Sequence, residues 1–570
     1  MGTSETTAES ASGERRIERG MLLAVLLAGS LAMARDLADA DLWGHVTFGA
    51  EVLATGRLPA TTTHSFTADG YRWINHENLS ELALAGLALA GGGAALLLAK
   101  CLLGFGVLAA IARAAVRNGA SIMTACLMVM LVAVNLSATW TLRPQLFSYV
   151  LFAAMIVCLN RAFADYVPRG KIQVGWLWTV VVLLFFWANT HGGFVAGLLM
   201  FAVYMAGRST EALVRFGLPA WKGVWRFTLI TAAGGLATLV NPYGPHLHRW
   251  LIDSLGQPRP EITEWASVSF GDPALWPLAA LLLITGVSLA LTRRRRDATQ
   301  LVLLAITAWQ SIEHIRHVPF FAILAGFWLP PHIDSAWQRL AARLRRAERG
   351  PKEDRQPAGA RLLLGGLTVA CLILAFVLVG RLRDVRVDKT EFPVDAIAFM
   401  AENDLHGRLV VTYNWAQYAL AALAPQTTVA FDGRFRTCYP QEIVDMHFDF
   451  VLGQIPHRRH RSGRSGPVDP WRVLDQGQPD LVLVDRSQRG SVAAIAARDD
   501  WVLLYQDGIA AVWGRRARFD RPGHHDYLPP DRRTISGVMP AGFARWPALP
   551  RASGGLIQAA SRPRHDDVVN

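Results

Sequence analysis

The 570-residue chain carries little charge: only 18% of its residues are Asp, Glu, Lys or Arg, whereas 52% are hydrophobic. Soluble domains usually hold about 25% charged residues. The apolar residues are gathered into runs without a single charge, such as 118–142, 172–207, 227–248, 273–292 and 362–380. Because about 20 helical residues cross the hydrocarbon core of a bilayer, these runs predict membrane helices. They exclude a soluble enzyme, a collagen-like fibre and a disordered chain.

Cysteine is also scarce, with five residues in the whole chain. Four of them lie in or beside the apolar runs, namely Cys101, Cys126, Cys158 and Cys371. Cys438 stands alone in the C-terminal part, so an intramolecular disulfide is excluded there. The sequence contains no CxxC pair and no Cys/His spacing typical of zinc ligands.

The net charge of +12 at first suggests a nucleic-acid partner. However, the apolar runs divide the basic residues between two sets of loops, and most of them fall in one set. Three arginines between residues 15 and 19 precede the first run, and the loops expected on the same side carry Arg293 to Arg296 and the basic segment 339–361. The opposite loops between residues 143 and 316 hold only Arg143, Arg249, Arg259 and Arg316. By the positive-inside rule, the arginines fix an orientation with the N-terminus in the cytoplasm. We therefore predict no nucleic-acid partner.

Two stretches leave the number of spans open. Residues 20–34 fit a signal peptide that ends at Ala32-Met33-Ala34, or a retained first span, which we favour because many further spans follow. Residues 82–112 contain Lys100 and the Gly91–Gly93 break, so they form either two crossings or one crossing and one interfacial or re-entrant helix. Only the single crossing keeps the arginine-rich loops beside the N-terminus. The sequence predicts about eleven spans and one short interfacial helix.

This topology divides the chain into a cytoplasmic segment, 1–19, a transmembrane domain, 20–380, with a large first outer loop, 36–80, an outer domain, 392–515, and a tail, 516–570. Apolar strand patterns alternate with helical segments in the outer domain, which indicates an α/β layer structure. The tail is rich in Arg, Pro and Gly and is expected to lack order. The predicted fold class is an α-helical polytopic protein of the inner membrane with a C-terminal extracytoplasmic α/β domain.

Polar chemistry is concentrated in the loops predicted to lie outside. The first outer loop carries Asp39, Asp41, His45, His76 and Glu77. The other outer loops add Arg143, Asn189, His191, Glu264, His314, Arg316 and His317. Ionisable groups near membrane depth are costly and are functional candidates by default. Six loops of the same polar character on one face predict a shared active or binding site.

Each of these residues also has an ordinary structural interpretation. An Asp or His at a helix end can be a cap or simply solvated, and Arg143 before Pro144 fits an interfacial anchor. Glu313 and Arg316 lie three apart, so they can pair with each other. Asn241-Pro-Tyr-Gly is an ordinary turn signal. The shared site is favoured by the whole set and not by any single member.

The Asp39-Ala-Asp41 element has two chemical uses. Two carboxylates at this spacing can share a divalent cation, Mg²⁺ or Mn²⁺, that is bound to a phosphate, or one of them can act as general base on an acceptor hydroxyl. Arg143 and Arg316 are suited to bidentate phosphate contact. The histidines His45, His76, His191, His314 and His317 offer further donors or metal ligands.

The outer domain has a candidate of its own, Asp432-Gly433-Arg434, which follows the predicted strand 427–431. Ligands often bind at the carboxyl end of a strand in an α/β layer. The alternative is a tight turn closed by a salt bridge between Asp432 and Arg434. The sequence leaves both open.

The order of these elements resembles the GT-C-type integral membrane glycosyltransferases. The resemblance lies in one span, a long outer loop that opens with an acidic motif, about ten more spans and an outer α/β domain. More closely, the strings Asp39-x-Asp-x-Trp-x-His45, Trp73-x-x-His76-Glu77, Leu142-Arg-Pro144, Asn189-x-His-Gly192, Asn241-Pro-Tyr-Gly244 and Val429-x-Phe-Asp432-Gly-Arg434 are similar to a group of large, mostly uncharacterised bacterial membrane proteins. The resemblance covers about residues 15–515. It departs from the usual Asp-Glu or Asp-Asp pair, since two aspartates here flank an alanine.

What the resemblance implies is a transferase that takes sugar from a polyprenyl-phosphate donor to a lipid, glycan or protein acceptor on the outer face. Asp39 and Asp41 occupy the place of its catalytic base or metal-associated group. A transporter or flippase is the second hypothesis and would need broken helices with polar groups at the membrane midplane. A non-catalytic envelope assembly protein is the third, and it predicts that the loop residues are dispensable.

Overall fold

The computed structural model describes residues 2–166, 170–344, 357–453 and 459–551. Part of the predicted basic segment 339–361, and the end of the predicted tail, 552–570, lie outside the described residues. The N-terminal two thirds of the described chain is helical, and the C-terminal third carries a six-stranded sheet. This arrangement agrees with the predicted helical domain followed by an α/β domain.

The N-terminal part is built from fourteen α-helices within the described ranges. They are α1 (Gly2–Met33), α2 (Leu42–Thr55), α3 (Asn78–Arg117), α4 (Ile122–Ser137), α5 (Gln145–Ala162), α6 (Val174–Ala188), α7 (Phe194–Phe216), α8 (Trp221–Thr238), α9 (Pro245–Leu255), α10 (Trp276–Leu291), α11 (Ala298–Glu313), α12 (Val318–Trp328), α13 (Pro330–Leu344) and α14 (Pro357–Arg381).

Several of these helices have the length and surface of membrane spans. Among the described residues, four are long and apolar enough to cross a bilayer, namely Asn78–Arg117, Gln145–Ala162, Pro273–Leu291 and Leu362–Arg381. The last of them turns large apolar side chains outward, with Leu362 and Phe376 each 79% exposed. Such a surface suits lipid and not water. The total of eleven spans stays a prediction.

Helix α3 contains the break predicted from its glycines. Gly92 has a φ of 59° and a ψ of −147°, which ends the first half of the helix, and the second half continues to Arg117. A residue with a Cβ disfavours this conformation. The first half packs along α2, and the second half joins the helical core through Leu108 and Ile111. The sequence placed this break correctly, and the number of crossings stays a prediction.

The C-terminal domain holds eight strands and six helices in the described residues. The strands are β1 (Arg386–Asp388), β2 (Gly407–Val411), β3 (Thr427–Val429), β4 (Leu481–Asp485), β5 (Trp501–Gln506), β6 (Ala510–Arg515), β7 (Thr534–Ile535) and β8 (Phe543–Arg545). The helices are α15 (Val394–Glu402), α16 (Ala416–Leu423), α17 (Gln441–Leu452), α18 (Arg472–Asp475), α19 (Arg489–Ala496) and α20 (Arg516–Phe519). The main sheet has the order β3-β2-β4-β6-β5-β7. It is parallel through β3, β2 and β4, and β6 then pairs antiparallel with both β4 and β5.

The prediction of a disordered tail is wrong for residues 516–551. This segment forms α20, β7 and β8, and β8 pairs antiparallel with β1. Its backbone also receives hydrogen bonds, because Trp43 Nε1 donates to the Pro547 carbonyl at 2.8 Å and the Tyr418 hydroxyl donates to the Ala548 carbonyl at 2.6 Å. Although this segment is rich in Arg, Pro and Gly, it is therefore ordered by contacts with residues that are distant in sequence.

The loop 36–80 and the C-terminal domain share one hydrophobic core. Trp43, Phe48 and Trp73 from the loop lie in the same buried cluster as the β2 and β4 side chains. Gly44 allows the close approach, because a Cβ at this position would lie 1.5 Å from Gln417 Oε1 of α16. The loop that carries the candidate acidic residues is thereby fixed between the helices and the sheet.

The contact between α2 and α3 also depends on a glycine. A Cβ at Gly49 would lie 2.1 Å from the Glu81 carbonyl oxygen. We expect Gly49→Ala to lower the free energy of unfolding by about 1–3 kcal/mol, because backbone on one side of the contact must move. Thermal unfolding in detergent measures the effect. Gly86→Ala is the matched control on α3, since a Cβ there meets nothing within 4 Å, and an equal loss in both variants would contradict the packing argument.

His447 of α17 gives the C-terminal domain a sensitivity to acid. The side chain is fully buried beside Phe431, and neither ring nitrogen has a hydrogen-bond partner among the residues that the structure describes. Burial lowers the pKa of His447 to about 3, whereas an unfolded histidine has a pKa of about 6.5. Between these values only the unfolded state binds the proton, so stability falls as the pH drops below about 6.5, by about 2 kcal/mol at pH 5.

We therefore expect His447→Phe to be more stable than the wild type at pH 5, with a much smaller difference at pH 8. Denaturant unfolding at both pH values measures the change. His525→Asn is the control, because the His525 side chain is 80% exposed. A gain that is the same at pH 5 and pH 8 would show that packing, and not protonation, causes it.

Candidate functional site

The candidate site lies where several helices end against the loop 36–80. Asp39 and Asp41 come immediately before α2, Arg143 lies before Pro144 at the start of α5, and His191 precedes α7. Arg316 lies in the short turn between α11 and α12. Residues that are far apart in sequence meet here because neighbouring helices begin or end at the same level.

Asp39, Asp41 and Glu264 surround the guanidinium of Arg143. Arg143 Nε lies 2.5 Å from Asp39 Oδ1, and Arg143 Nη1 lies 3.3 Å from Asp41 Oδ2 and 3.0 Å from Glu264 Oε1. Asp41 occupies the N-cap position of α2, yet its side chain makes no capping hydrogen bond. Neither the helix cap proposed for Asp41 nor the interfacial anchor proposed for Arg143 accounts for these contacts. We name these four residues the acidic cluster.

The electrostatics of the acidic cluster suit a base. Burial and the neighbouring Asp39 carboxylate raise the pKa of Asp41, and the Arg143 guanidinium opposes this rise. Three carboxylates face one arginine, so the cluster is negative when all of them are ionised. The predicted metal role of Asp39 and Asp41 fits this arrangement poorly, because the guanidinium of Arg143 contacts both carboxylates where a shared cation would bind.

A second group of side chains is better suited to a metal. His45 Nδ1 lies 3.4 Å from Glu81 Oε1 and 4.0 Å from Glu77 Oε2, and the ligand atoms of these three residues all lie within 4.8 Å of one another. His76 and His191 approach the other oxygen of Glu77, each at 3.7 Å. We name these five residues the histidine cluster.

Protonation differs among the members of the histidine cluster. Burial alone would lower the pKa of His45, but its hydrogen bond with Glu81 and the nearby Glu77 raise it to about 9. Burial would raise the pKa of Glu77, but the adjacent histidines and Arg316 lower it. Near neutral pH, His45 is therefore protonated and Glu77 is ionised, and the two charges stabilise each other.

His191 is held in one tautomer by its neighbours. Its Nδ1 accepts a hydrogen bond from the Gly193 N–H at 3.1 Å and lies 2.8 Å from the Ser148 hydroxyl, which itself accepts from Trp187 Nε1. Burial lowers the pKa of His191 to about 3. The neutral ring therefore carries its proton on Nε2, which faces Glu77.

Arg316, His314 and His317 form a separate patch around Trp265. The guanidinium carbon of Arg316 lies 4.5 Å from the centre of the Trp265 ring, and His314 Nδ1 lies 2.8 Å from the Trp265 carbonyl oxygen. Within the described ranges, Arg316 has no carboxylate within salt-bridge distance, so the alternative in which it pairs with Glu313 does not describe its contacts. Arg259 lies against the same ring at 4.8 Å. This patch offers positive charge close to the acidic cluster.

Asn189 and the pair Asp432–Arg434 were candidates for binding, but their polar groups are already used in structural contacts. The amide of Asn189 donates to the carbonyls of Phe185 and Val240, which uses both of its protons. Asp432 is completely buried, and Arg434 pairs with it through Nε and Nη2. The salt-bridge alternative for Asp432 and Arg434 therefore describes their geometry, and they are not an open ligand site.

The turn at Asp432 nevertheless shapes the acidic cluster. A Cβ at Gly433 would lie 2.6 Å from Asp41 Oδ1, so the backbone of the C-terminal domain closes over this carboxylate. The Arg434 guanidinium lies over the rings of Phe48 and Trp73 and donates to the Thr63 carbonyl at 2.7 Å. The buried pair thus fastens the C-terminal domain to the loop 36–80.

Two residues of the site, Glu81 and Tyr413, were not predicted from the sequence. Glu81 directly precedes the apolar run 82–112 and lies four residues after Glu77 on one helical face. Tyr413 lies near Asp41, and burial together with the Asp41 charge raises the pKa of its phenol. The spacing of Glu77 and Glu81 was a usable signal, whereas nothing in the sequence placed Tyr413 beside Asp41.

Among the solved structures that match the chain are those of two proteins, each aligned over 93% of this chain. ArnT from Cupriavidus metallidurans, solved bound to undecaprenyl phosphate, matches with a TM-score of 0.50 at 12% identity over 100% of that chain. The oligosaccharyltransferase of Archaeoglobus fulgidus, solved with a tethered acceptor peptide, matches with a TM-score of 0.48 at 10% identity over 75% of that chain. No protein-family profile and no curated protein matches the sequence. The likeness to ArnT shows the fold, which is the GT-C type that the sequence resembles.

Proposed function

We propose that this protein is a membrane glycosyltransferase that moves a sugar from a polyprenyl-phosphate donor to a lipid, glycan or protein acceptor. The observation that carries the proposal is the acidic cluster, in which a half-buried carboxylate of raised pKa lies beside an arginine at the helix ends. The fold adds support, because ArnT, which has this fold, was solved bound to undecaprenyl phosphate.

Asp41 is the proposed general base. Its carboxylate takes the proton of an acceptor hydroxyl while the acceptor oxygen forms a bond to the anomeric carbon of the sugar. The bond from that carbon to the donor phosphate oxygen breaks, and the polyprenyl phosphate leaves with the electron pair. A raised pKa suits this role, since a base works best when its pKa approaches the operating pH.

Arg143 is the proposed positioning group for that base. Its contacts with Asp39 and Glu264 fix the guanidinium, and its contact with Asp41 favours the ionised carboxylate. We also propose that the acidic cluster and the C-terminal domain lie outside the inner membrane and the arginine-rich loops lie in the cytoplasm, because positive loops favour the cytoplasmic side.

A divalent cation fits the histidine cluster better than the acidic cluster. His45, Glu77 and Glu81 would hold it once His45 releases the proton that it carries near neutral pH. One imidazole with two carboxylates favours Mn²⁺ over Mg²⁺. When bound, such a cation would polarise a phosphate oxygen. His45 and Glu77 stabilise each other in its absence, so the geometry does not depend on the cation.

Arg316 is the proposed contact for the donor phosphate, because its guanidinium lies on Trp265 without a carboxylate partner in the described ranges. We expect Arg316→Gln to raise the KM for the donor about tenfold or more, since a hydrogen bond to a charged group contributes about 1.5–3 kcal/mol, with a smaller change in kcat. Steady-state transfer from a polyprenyl-phosphate sugar measures both constants.

The matched control is Arg259→Gln, which removes the other arginine stacked on Trp265. Arg259 already donates to the carbonyl and hydroxyl of Ser254, so its loss should change the KM for the donor by less than about threefold. Equal effects of the two substitutions would assign the change to the disturbed Trp265 patch and remove Arg316 from donor binding.

A further inference from the structure

A cavity of about 480 Å³ lies at the end of the helices opposite the acidic cluster. The acidic cluster adjoins the start of α5 and the end of α11, whereas Asn160 near the end of α5 and Asp297 before α11 line the cavity. Helix α5 has 18 residues, so the two sites are separated by about 27 Å along it. The cavity is therefore independent of the proposed catalytic site, and its volume falls within the range of about 300–1,000 Å³ usual for small-molecule sites.

The lining of the cavity is positively charged. Arg208, Arg294 and Arg295 face one lining carboxylate, Asp297. Arg208 is only 3% exposed and pairs with Asp297 at 2.6 Å, so its charge is already compensated. Arg294 and Arg295 are exposed and form no salt bridge within the described ranges, and Arg294 donates to the carbonyls of Asn118 and Gly119 at 3.1 and 3.4 Å, which leaves its charge uncompensated. These two arginines supply the net charge that would attract an anion.

Hydrogen-bond donors in the cavity wall lack acceptors. Arg208 Nε, Asn160 Nδ2 and the Tyr166 hydroxyl are buried and have no partner in the described structure. The Asn160 carbonyl oxygen is already used, because Trp328 Nε1 donates to it at 2.9 Å. Buried polar groups are almost always hydrogen-bonded, so three donors without acceptors in one wall favour a ligand rich in acceptor oxygens.

We propose that this cavity binds the phosphate group of an anionic ligand, with a phospholipid headgroup as the principal source. Phosphate oxygens would accept from the unpartnered donors, and Arg294 and Arg295 would balance the charge. Basic pockets between membrane helices on the cytoplasmic side commonly hold anionic headgroups. The aromatic rings of Phe163, Tyr204 and Trp328 also line the cavity and suit the less polar part of such a ligand.

The test measures equilibrium binding of dioctanoyl phosphatidic acid and dioctanoyl phosphatidylcholine to the purified full chain in detergent. We expect phosphatidic acid to bind at least tenfold more tightly. The double variant R294Q/R295Q should weaken its binding fivefold or more. The double variant R293Q/R296Q removes the same charge from adjacent exposed positions that do not line the cavity, and it should change the Kd by less than twofold.

Tyr166→Phe is a second and milder variant, because it deletes only a hydroxyl for which the described residues provide no partner. It should weaken phosphatidic acid binding about threefold without lowering the thermal midpoint. Arg316→Gln should leave this binding unchanged, which separates the cavity from the proposed donor site. Competition by inorganic phosphate would identify a free phosphate compound as the source, whereas competition only by diacyl phosphates would identify a lipid.

Two outcomes would overturn the proposal. The first is equal affinity for phosphatidic acid and phosphatidylcholine. The second is equal loss in R294Q/R295Q and R293Q/R296Q, which would show that the arginines act only as general surface charge. Neither outcome would affect the proposed transferase function, which rests on the other end of the helices.

Discussion

Replacing Asp41 with asparagine is expected to lower the kcat of sugar transfer by about 10³-fold, within the range of about 10²–10⁴ that general bases contribute. Asparagine has nearly the same shape, but it cannot accept the proton of the acceptor hydroxyl. The KM for the donor should change by less than about threefold, because the proposed phosphate contact is Arg316. The measurement is transfer from a labelled polyprenyl-phosphate sugar by protein in reconstituted membranes.

Asp69→Asn is the matched control, because Asp69 is an exposed aspartate of the same loop and should leave kcat unchanged. Thermal unfolding of both variants separates loss of chemistry from loss of structure. Unchanged transfer by a well-folded Asp41→Asn variant would remove Asp41 from the mechanism. It would leave the loop 36–80 as a structural connection between the helices and the C-terminal domain.

Arg143→Gln is the second substitution with a large expected effect. It removes the positive charge among Asp39, Asp41 and Glu264, so the pKa of Asp41 rises further. A larger fraction of Asp41 is then protonated at neutral pH and cannot act as a base. We expect kcat/KM to fall about 10²-fold or more at pH 7, which is the size of effect expected when a charged hydrogen-bonding partner is lost. We also expect the acidic limb of the pH profile to move to higher pH.

Two companion variants isolate the charge of Arg143. Arg143→Lys keeps the charge but loses the forked geometry, so it should recover part of the activity and most of the pH profile. The double variant R143Q/E264Q removes one negative charge as well and should shift the acidic limb less than Arg143→Gln alone. A loss of activity with an unshifted pH profile would contradict the electrostatic role of Arg143.

The sequence predicted the parts of the site that depend on helix ends. Asp39 and Asp41 share the first outer loop, whereas Arg143 and Glu264 lie in two others, and the apolar runs between them predicted that these three loops lie on one face of the helical layer. The strand predicted over residues 427–431 is found as β3 (Thr427–Val429). Hydrophobic periodicity reports such features because burial is its physical cause.

What the sequence could not predict depends on contacts between distant segments. Asp432 and Arg434 had the pattern of a strand-end ligand site, and only the structure shows that both are buried and that the Arg434 guanidinium lies over Phe48 and Trp73. The tail 516–551 had a composition typical of disorder, and it is held by long-range contacts such as the Trp43 hydrogen bond to Pro547. Composition carries no information about a partner that lies hundreds of residues away.

The predicted metal role of Asp39 and Asp41 also depends on side-chain contacts that sequence spacing does not report. Asp39 and Asp41 have a spacing that suits a cation, but Arg143 contacts both of their carboxylates. The group with the better ligand set combines His45 with Glu77 and Glu81. Two of these residues were singled out for their polarity, and Glu81 was missed because the apolar residues after it dominated the pattern.

The central claim is that the acidic cluster performs sugar transfer from a polyprenyl-phosphate donor. The most direct measurement gives the wild-type protein in liposomes a panel of labelled polyprenyl-phosphate sugars with an extract of envelope lipids and glycans as acceptors. We predict release of polyprenyl phosphate together with a labelled product, from at least one donor, and loss of both with Asp41→Asn. Folded protein that turns over no donor in the panel, or turnover that survives Asp41→Asn, would contradict the account.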